Sequence, residues 1–210
     1  MERYAYELMR QTEQSWWYRG RSLVATHIWH RFAHSQGDVL DYGAGNGALG
    51  ETFKQFGTVY GFEPDEMARR DAMSRGYAEV YADESSALTR TYTTVAFFDV
   101  LEHLADDRET LMRVRQALVP NGFVLINVPA YQWLWSVHDV THHHFRRYSR
   151  AQVKKLLNGA GFDVLFAGYW VFALFPVVLV MRLLGKTGES AVHLPAPINS
   201  FLFFIIEVEA

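Results

Sequence analysis

The stretch that decides the fold runs from Val39 to Gly47 and reads Val-Leu-Asp-Tyr-Gly-Ala-Gly-Asn-Gly. An apolar run stops at an acid, and three alternating glycines follow it at once. Glycine has no Cβ, so it can take positive φ and let the backbone approach a ligand closely. The pattern predicts a strand that enters a nucleotide-binding turn, with a helix opening behind it.

The acid in this stretch discriminates between ligands. Asp41 lies two residues before the first glycine, Gly43. A carboxylate at that place would repel a pyrophosphate but could hold a cationic amino group. S-adenosylmethionine carries an ammonium and a sulfonium and no phosphate, so it fits this turn. One alternative stays open, because Gly45–Gly50 also satisfies the dinucleotide pattern of an NAD(P)-dependent oxidoreductase.

Composition limits the classes of protein that the chain can belong to. With 210 residues, half of them hydrophobic, it fits one domain with a sizeable core. A formal charge of −3 disfavours nucleic acid as a partner, and the lack of cysteine excludes disulfides and thiolate metal sites. Met1–Arg10 is polar and has no secretory pattern, so we expect a cytoplasmic protein, with peripheral contact to the inner face of a membrane left open.

From Asp38 onward, short apolar runs alternate with helical stretches. This alternation predicts an α/β fold of the Rossmann-like, doubly wound kind, with a mainly parallel sheet. We expect a helical prefix over 1–35, a ligand-binding core over 36–169 and a hydrophobic extension over 170–210. The predicted strands are 38–42, 58–62, 78–82, 94–99, 123–128 and 162–169, and the predicted helices are 2–14, 18–34, 46–56, 65–75, 106–118 and 150–159.

The C-terminal extension is unusually apolar. Val164 to Met181 contains no charged residue. With 162–169 assigned to a strand, 170–184 remains as a helix that Pro176 interrupts, which is short for a membrane span. Contact with a membrane surface, contact with an amphiphilic substrate, burial and a homodimer interface all stay open. A second apolar run, 201–206, is predicted as either a strand or a helix.

Three further acids follow predicted strands. Ligands in open α/β folds bind at the carboxyl ends of the strands, so these acids should surround the glycine turn. Glu63 closes the second strand and could accept both ribose hydroxyls. Asp83 could accept a hydrogen bond from an adenine amino group, or it is a solvated loop acid. Asp99 would lie beside the methionine end of the ligand.

This ordered set of motifs resembles the class I S-adenosylmethionine-dependent methyltransferases of the bacterial small-molecule type, over roughly 36–169. Asp99–Leu104 matches their fourth-strand motif, and 118–122 resembles the turn before their fifth strand, with Asn121 where glycine is common. The resemblance implies S-adenosylmethionine as cofactor. It also implies cofactor contacts from Asp41, Gly43, Ala44, Gly45, Gly47, Glu63, Asp83, Asp99, Val100, Leu101 and His103.

A narrower resemblance rests on Trp16–Arg21 and on a histidine-rich loop, 130–148. Together they are similar to a subgroup of bacterial methyltransferases often found with cell-surface polysaccharide or lipid genes, although His142 and His143 depart from its pattern. The subgroup tends to place a last strand after a helix such as 198–207, so we expect the seventh strand to be missing here. The length of the loop predicts a lid or substrate-binding segment over 130–148. The candidate substrate contacts are Trp17, Arg21, Tyr131, Trp135, Arg146 and Tyr148; packing of Trp17 onto the domain and surface ion pairs of Arg146 are the alternatives.

The histidines of the loop allow several interpretations. His138, Asp139 and His142–His144 could be metal ligands, but we expect no metal, because an imidazole near neutrality is suited to act as a general base. The candidate bases are His144, His138 and His103, with Asp139 as a partner; loop histidines bonded to the backbone are the alternative. The predicted reaction is in-line methyl transfer to an oxygen or nitrogen of a small acceptor. A non-catalytic domain that binds a cofactor or partner remains the third class.

Overall fold

The computed structural model describes residues 13–33, 36–176, 179–180 and 194–209. Most of the predicted helix 2–14 and part of the predicted helix 170–184 lie outside these residues. The strands are β1 (Val39–Tyr42), β2 (Val59–Phe62), β3 (Glu79–Tyr81), β4 (Tyr92–Phe98) and β5 (Leu118–Asn127). The helices are α1 (Trp16–Phe32), α2 (Gly50–Phe53), α3 (Glu66–Ser74), α4 (Glu84–Ala87), α5 (Asp107–Gln116), α6 (Val137–Thr141), α7 (Arg150–Gly159) and α8 (Ala196–Glu209), with 3₁₀ turns at Leu101–His103 and Gln132–Leu134.

The five strands form one parallel sheet in the order β3-β2-β1-β4-β5. β1 pairs with β2 on one side and with β4 on the other, so Asp41 lies between Gly61 and Ala96. The strand order reverses at β1, and a crevice opens at the carboxyl end of a strand where this happens. The predicted fold class is therefore confirmed, and the glycine turn lies at the switch point of the sheet.

Both faces of the sheet are covered. Successive β1 side chains point to opposite sides of the sheet, so they enter two different cores. Leu40 belongs to a core that contains Leu111 and Val114 of α5, whereas Val39 belongs to a second core with Phe53. In the second core the Trp29 ring of α1 stacks on Phe56, with ring centroids 4.3 Å apart. The N-terminal helix is thus packed onto the sheet domain.

The prediction of a sixth strand at 162–169 is wrong. This segment has no strand structure, and among the described residues β5 pairs with β4 alone. Phe162 and Val164 pack against the core, whereas Leu165 and Phe166 remain more than half exposed, and the Phe166 ring stacks on Phe32 of α1 at a centroid distance of 5.7 Å. An apolar run predicts burial, and here packing against a helix supplies part of that burial without strand pairing.

The second C-terminal apolar run is helical. α8 packs on α1 through a small core that includes Trp16, Leu174 and Ile206. Its outward side chains are apolar as well and are exposed, namely Ile198, Phe201, Phe204 and Val208. Within the described part of the chain, no helix combines the length and the apolar character that a membrane span requires.

Candidate cofactor and acceptor site

The turn after β1 requires glycine. Gly43, Gly45 and Gly47 have φ values of +78°, +54° and +78°, a region that residues with a Cβ rarely adopt. A Cβ on Gly43 would lie 2.6 Å from a methyl group of Val100. The chain forms an open turn over 43–49, so α2 begins at Gly50 and the predicted helix 46–56 is shorter than expected. The amides of Gly43 and Ala44 donate to the Phe62 carbonyl and that of Gly45 donates to Glu63, so what the glycines offer a ligand is close approach to the backbone.

Asp41 is a buried acid at the base of this turn. It is 3 % exposed, and Tyr77 Oη donates a hydrogen bond of 2.7 Å to its Oδ2. Burial raises the pKa of Asp41 to about 7, while the Tyr77 bond and the charge of Arg21 oppose that rise. A nearby cation strongly stabilises a buried carboxylate, because burial disfavours a charge that has no opposite charge beside it.

Glu63 fastens the end of β2 to the turn after β1. Its Oε2 accepts a 2.9 Å hydrogen bond from the Gly45 amide, and its Oε1 accepts one of 2.9 Å from the Asp65 amide. Burial raises the pKa of this carboxyl, and the two amide bonds oppose the rise. The carboxylate lies at the place predicted for a ribose contact, with lone pairs left for further donors.

Asp99 follows β4 and has a φ of +57°, an uncommon conformation for aspartate. It forms an ion pair with Arg21 of α1, and Asn127 Nδ2 donates to its Oδ1 at 2.8 Å. Asn127 in turn accepts a 2.8 Å bond from Trp170 Nε1. Arg21 is 8 % exposed and its buried Nε has no hydrogen-bond partner among the described residues. A cation and a carboxylate therefore meet at the carboxyl end of the sheet, and the charge of Arg21 also acts on Asp41.

The 3₁₀ turn after Asp99 carries a second group of titratable side chains. Glu102 is 1 % exposed, its Oε2 has no partner among the described residues, and burial together with Asp99 raises its pKa to about 9. The His103 ring lies 4.6 Å from the His144 ring, and partial burial with the His144 charge lowers the pKa of His103 to about 4. Ligand atoms of Glu102, His103 and His144 lie within 4.8 Å of one another, so a cation could fit between them, although the sequence led us to expect no metal.

His144 is oriented by a buried aspartate. Asp139 is fully buried, and its Oδ1 accepts bonds from His144 Nδ1 at 3.0 Å and from Arg147 Nε at 2.6 Å. Burial opposes ionisation of Asp139, but the Arg147 contact outweighs it and lowers the pKa to about 2. An ionised Asp139 favours the proton on Nδ1 of His144, which leaves Nε2 as the basic nitrogen.

Two predicted substrate residues hold the loop in place. Tyr148 is buried, and its hydroxyl donates to Asp107 Oδ2 at 2.7 Å and lies 3.1 Å from the Leu101 carbonyl oxygen. Arg146 forms an ion pair with the same Asp107 at 2.8 Å and donates to the Ala105 carbonyl. These bonds join the loop to the segment that carries Glu102.

The other predicted site residues lie in different surroundings. Asp83 caps α4 and accepts bonds from Ser85 and Ser86, which lower its pKa. Trp17 lines the cleft, and its ring lies 4.6 Å from Trp170. Trp135 ends the 3₁₀ turn of the loop and does not line the cleft. The remaining residues from the prediction that line the cleft are Gly43, Ala44, Gly45, Val100, Tyr131 and His138.

Sequence reasoning missed two contributors. Tyr77 reaches Asp41 from a position 36 residues away, and nothing in its local sequence indicated that contact. Asn127 ends β5 and holds Asp99. Its place at the carboxyl end of a strand was the signal that could have identified it.

Many of these groups, among them Asp41, Glu63, Asp99, His103 and His144, line one open cleft of about 2530 Å³ that also extends along β5. Single ligand pockets usually measure roughly 300–1,000 Å³, so the cleft has room for two molecules. Asp41, Glu63 and the glycine turn lie on one side, which we call the cofactor side. His144 and Tyr131 of the loop 130–148 lie on the other, which we call the acceptor side.

The fold together with this site is that of the class I S-adenosylmethionine-dependent methyltransferases, as the sequence motifs predicted. A family model described as "Methyltransferase domain" matches residues 16–166, so the chain belongs to that family. The family assignment disfavours the oxidoreductase alternative.

Among characterised relatives, the chain is 30% identical over 112 residues to ubiquinone biosynthesis O-methyltransferase of Salmonella arizonae, which is 47% of this chain and 46% of that protein. The chain thus spans about half the length of the curated relatives that it matches. Among solved structures, a methyltransferase from Methanosarcina mazei aligns with a TM-score of 0.53 at 17% identity, covering 66% of this chain and 85% of that one. A Bacteroides fragilis methyltransferase in complex with S-adenosylhomocysteine gives a TM-score of 0.50 at 15% identity, covering 69% and 72%. These structures share the fold.

Proposed function

We propose that this chain transfers the methyl group of S-adenosylmethionine to an oxygen or nitrogen of a small acceptor that is amphiphilic or linked to a lipid or sugar. The observation that carries the proposal is Asp41, a buried acid with one phenol partner, beside a turn of three glycines with positive φ. That combination suits a ligand with a cationic amino group and close backbone contacts.

The cofactor side supplies a partner for each polar part of the methionine and ribose. Asp41 would receive the ammonium, and Arg21, whose buried Nε is unpaired among the described residues, would receive the carboxylate. Glu63 would accept the ribose hydroxyls, and the three glycines would let the ligand lie close to the backbone of the turn. The sulfonium would then lie toward Asp99 and the acceptor side.

The reaction is an in-line displacement. A lone pair of the acceptor forms a bond to the methyl carbon as the carbon–sulfur bond breaks. The electron pair of the broken bond stays on sulfur, which gives S-adenosylhomocysteine. The acceptor proton goes to a base, and His144 Nε2 fits this role because Asp139 occupies Nδ1. His103 and His138 are the neighbouring imidazoles that could replace it. Most of the protein's contribution is orientation and exclusion of water.

The apolar surfaces near the C-terminus suggest how an amphiphilic acceptor reaches the cleft. Phe172 is 76 % exposed, and α8 presents Phe201 and Val208 to the outside. In this proposal the extension contacts a membrane surface through 170–184 or a second copy of the chain through its apolar helix. The net charge of −3 argues against nucleic acid as the acceptor.

Calorimetry with S-adenosylmethionine tests the cofactor side, and formation of S-adenosylhomocysteine with a panel of cell extracts tests turnover. We expect binding by the wild type, strongly reduced binding by Asp41→Ala and Glu63→Ala, and normal binding by the control Glu51→Ala, an exposed acid of α2. Lack of binding by the wild type would refute the cofactor assignment. Binding without turnover in any extract would favour the non-catalytic alternative.

A further inference from the structure

Four aromatic side chains form a cluster at the acceptor side: Tyr131, Trp133, Tyr169 and Phe175, which we call the aromatic platform. The Tyr131 and Tyr169 rings stack at a centroid distance of 5.0 Å and an interplanar angle of 20°. Tyr131 also lies 5.6 Å from Trp133 and 6.0 Å from Phe175. The Tyr131 ring therefore contacts all three of the others.

The backbone at Tyr131 is strained, with φ of 61° and ψ of 108°. A bulky residue in this region is an outlier whose cost persists only where the surroundings enforce it. Here the Tyr131 amide donates to the Tyr148 carbonyl at 2.9 Å, and its own carbonyl accepts from Leu134 at 2.9 Å. Glycine would relieve the strain, yet the chain has a tyrosine at the centre of the platform.

The platform is continuous with the proposed methyl-transfer site. Tyr131, Tyr169 and Phe175 line the same cleft as Asp99 and His144. Trp133 lies at the rim, outside the lining, where its ring contacts those of Tyr131 and Phe175. Trp133 is 62 % exposed, so a large aromatic face is open to solvent at the edge of the platform. An acceptor whose reactive atom lies near His144 can extend its remaining part onto these rings.

We propose that the aromatic platform binds the apolar face of a ring in the methyl acceptor, as a subsite that fixes the acceptor against the cofactor. This inference rests on the proposed function. Aromatic faces pack favourably against flat apolar surfaces, which both a phenolic ring and a sugar ring present. Stacking against Trp133 and Tyr131 positions the acceptor, while the group that loses its proton points toward His144.

The test measures ring binding directly, without the unidentified acceptor. Ligand-observed NMR is recorded with 4-methylphenol in one arm and methyl β-D-glucopyranoside in the other, each with saturating S-adenosylmethionine. We expect one of the two probes to bind the wild type, and the arm that binds identifies the ring. Trp133→Ala should weaken that probe at least about 5-fold, since base and ring stacking on one aromatic side chain is worth about 1–3 kcal/mol. Phe145→Ala, an exposed aromatic that does not line the cleft, is the matched control and should leave binding unchanged.

Tyr131 gives a second test that separates binding from packing. Tyr131→Gly should weaken the probe at least about 5-fold through loss of the ring, while relief of the positive φ offsets part of the stability that is lost with the ring contacts. Tyr131→Phe keeps the ring and should bind within about twofold of the wild type. The proposal is overturned if neither probe binds, or if Trp133→Ala and Tyr131→Gly bind as the wild type does.

The same protein samples distinguish failure of this inference from failure of the proposed function. Calorimetry with S-adenosylmethionine alone should give wild-type affinity for Trp133→Ala, because Trp133 does not line the cofactor side. Failure of the wild type to bind the cofactor counts against the proposed function, whereas normal cofactor binding without ring binding counts against the platform alone.

Discussion

The two sides of the cleft are built in different ways. On the cofactor side, a backbone turn with three glycines and two strand-end acids, Asp41 and Glu63, lie at the switch point of the sheet. On the acceptor side, the loop 130–148 is held by side-chain pairs such as Tyr148 with Asp107. Topology thus positions the cofactor side, whereas long-range side-chain contacts position the acceptor side. The two sides should respond differently to mutation.

Asp41→Asn should have the largest effect. Loss of a buried charge paired with a ligand ammonium typically costs about 2–5 kcal/mol, so affinity for S-adenosylmethionine should fall at least about 30-fold. Stability should change in the opposite direction. Folding raises the pKa of this carboxyl from 3.8 to about 7, so the folded state binds more protons than the unfolded state and the free energy of unfolding falls as the pH rises through that range.

Asp41→Asn removes that burial cost while keeping an acceptor for Tyr77, so at pH 8 the unliganded variant should be more stable than the wild type by about 1–3 kcal/mol. Calorimetry and denaturant unfolding measure the two effects. A variant that loses stability at pH 8, or retains cofactor affinity, would contradict this assignment of Asp41.

His144→Gln should have the second largest effect, which is a loss of turnover on the acceptor side. Removal of a general base commonly reduces turnover about 100-fold or more. Affinity for S-adenosylmethionine should stay within about twofold, because His144 lies across the cleft from Asp41. Formation of S-adenosylhomocysteine in an active extract measures the first effect, and His143→Gln, an exposed neighbour, is the control. Equal losses in both variants would argue against a specific role for His144.

Gly43→Ala should destabilise the cofactor side through the backbone. An alanine would have to adopt φ of +78° with its Cβ 2.6 Å from Val100, so the free energy of unfolding should fall by about 1–3 kcal/mol. Cofactor affinity should fall about 10-fold as the turn shifts. Gly159→Ala is the control, because its Cβ would meet no atom closer than 3.6 Å and helix α7 would gain a better helix former.

Tyr148→Phe should have the smallest effect. It removes a buried hydroxyl that bonds Asp107, so the free energy of unfolding should fall by about 1–2 kcal/mol. Affinity for S-adenosylmethionine should not change. Thermal unfolding and calorimetry distinguish this anchoring role from the substrate contact that the sequence predicted; a stable variant with weakened acceptor binding would restore the substrate role.

The same difference between the two sides explains what the sequence could predict. The strand, acid and glycine turn of 39–47 were predictable because the whole pattern is local, and helix 150–159 was predicted with its observed bounds for the same reason. Glu63 followed from its place at the end of β2. These features need only the strand order of an α/β sheet to be brought together.

The rest depended on contacts that local patterns do not encode. Tyr148 meets Asp107 across 41 residues, so its aromatic hydroxyl could be read equally as a ligand group or as an anchor. Asp83 has the residue type and position of an adenine contact, yet it caps α4. The segment 162–169 has the composition of a strand, but it does not pair with β5, and Phe166 contacts α1 instead.

The central claim, that an ionised Asp41 holds the cofactor ammonium, is tested most directly by the pH dependence of S-adenosylmethionine binding. Burial raises the pKa of the Asp41 carboxyl to about 7 in the protein without cofactor, and only the ionised carboxylate attracts the ammonium. Affinity of the wild type should therefore rise about 10-fold from pH 5.5 to 6.5 and level off above pH 7, and Asp41→Asn should bind weakly at every pH. Wild-type affinity that stays constant between pH 5.5 and 7.5, or an Asp41→Asn variant that shows the same pH profile, would contradict the claim.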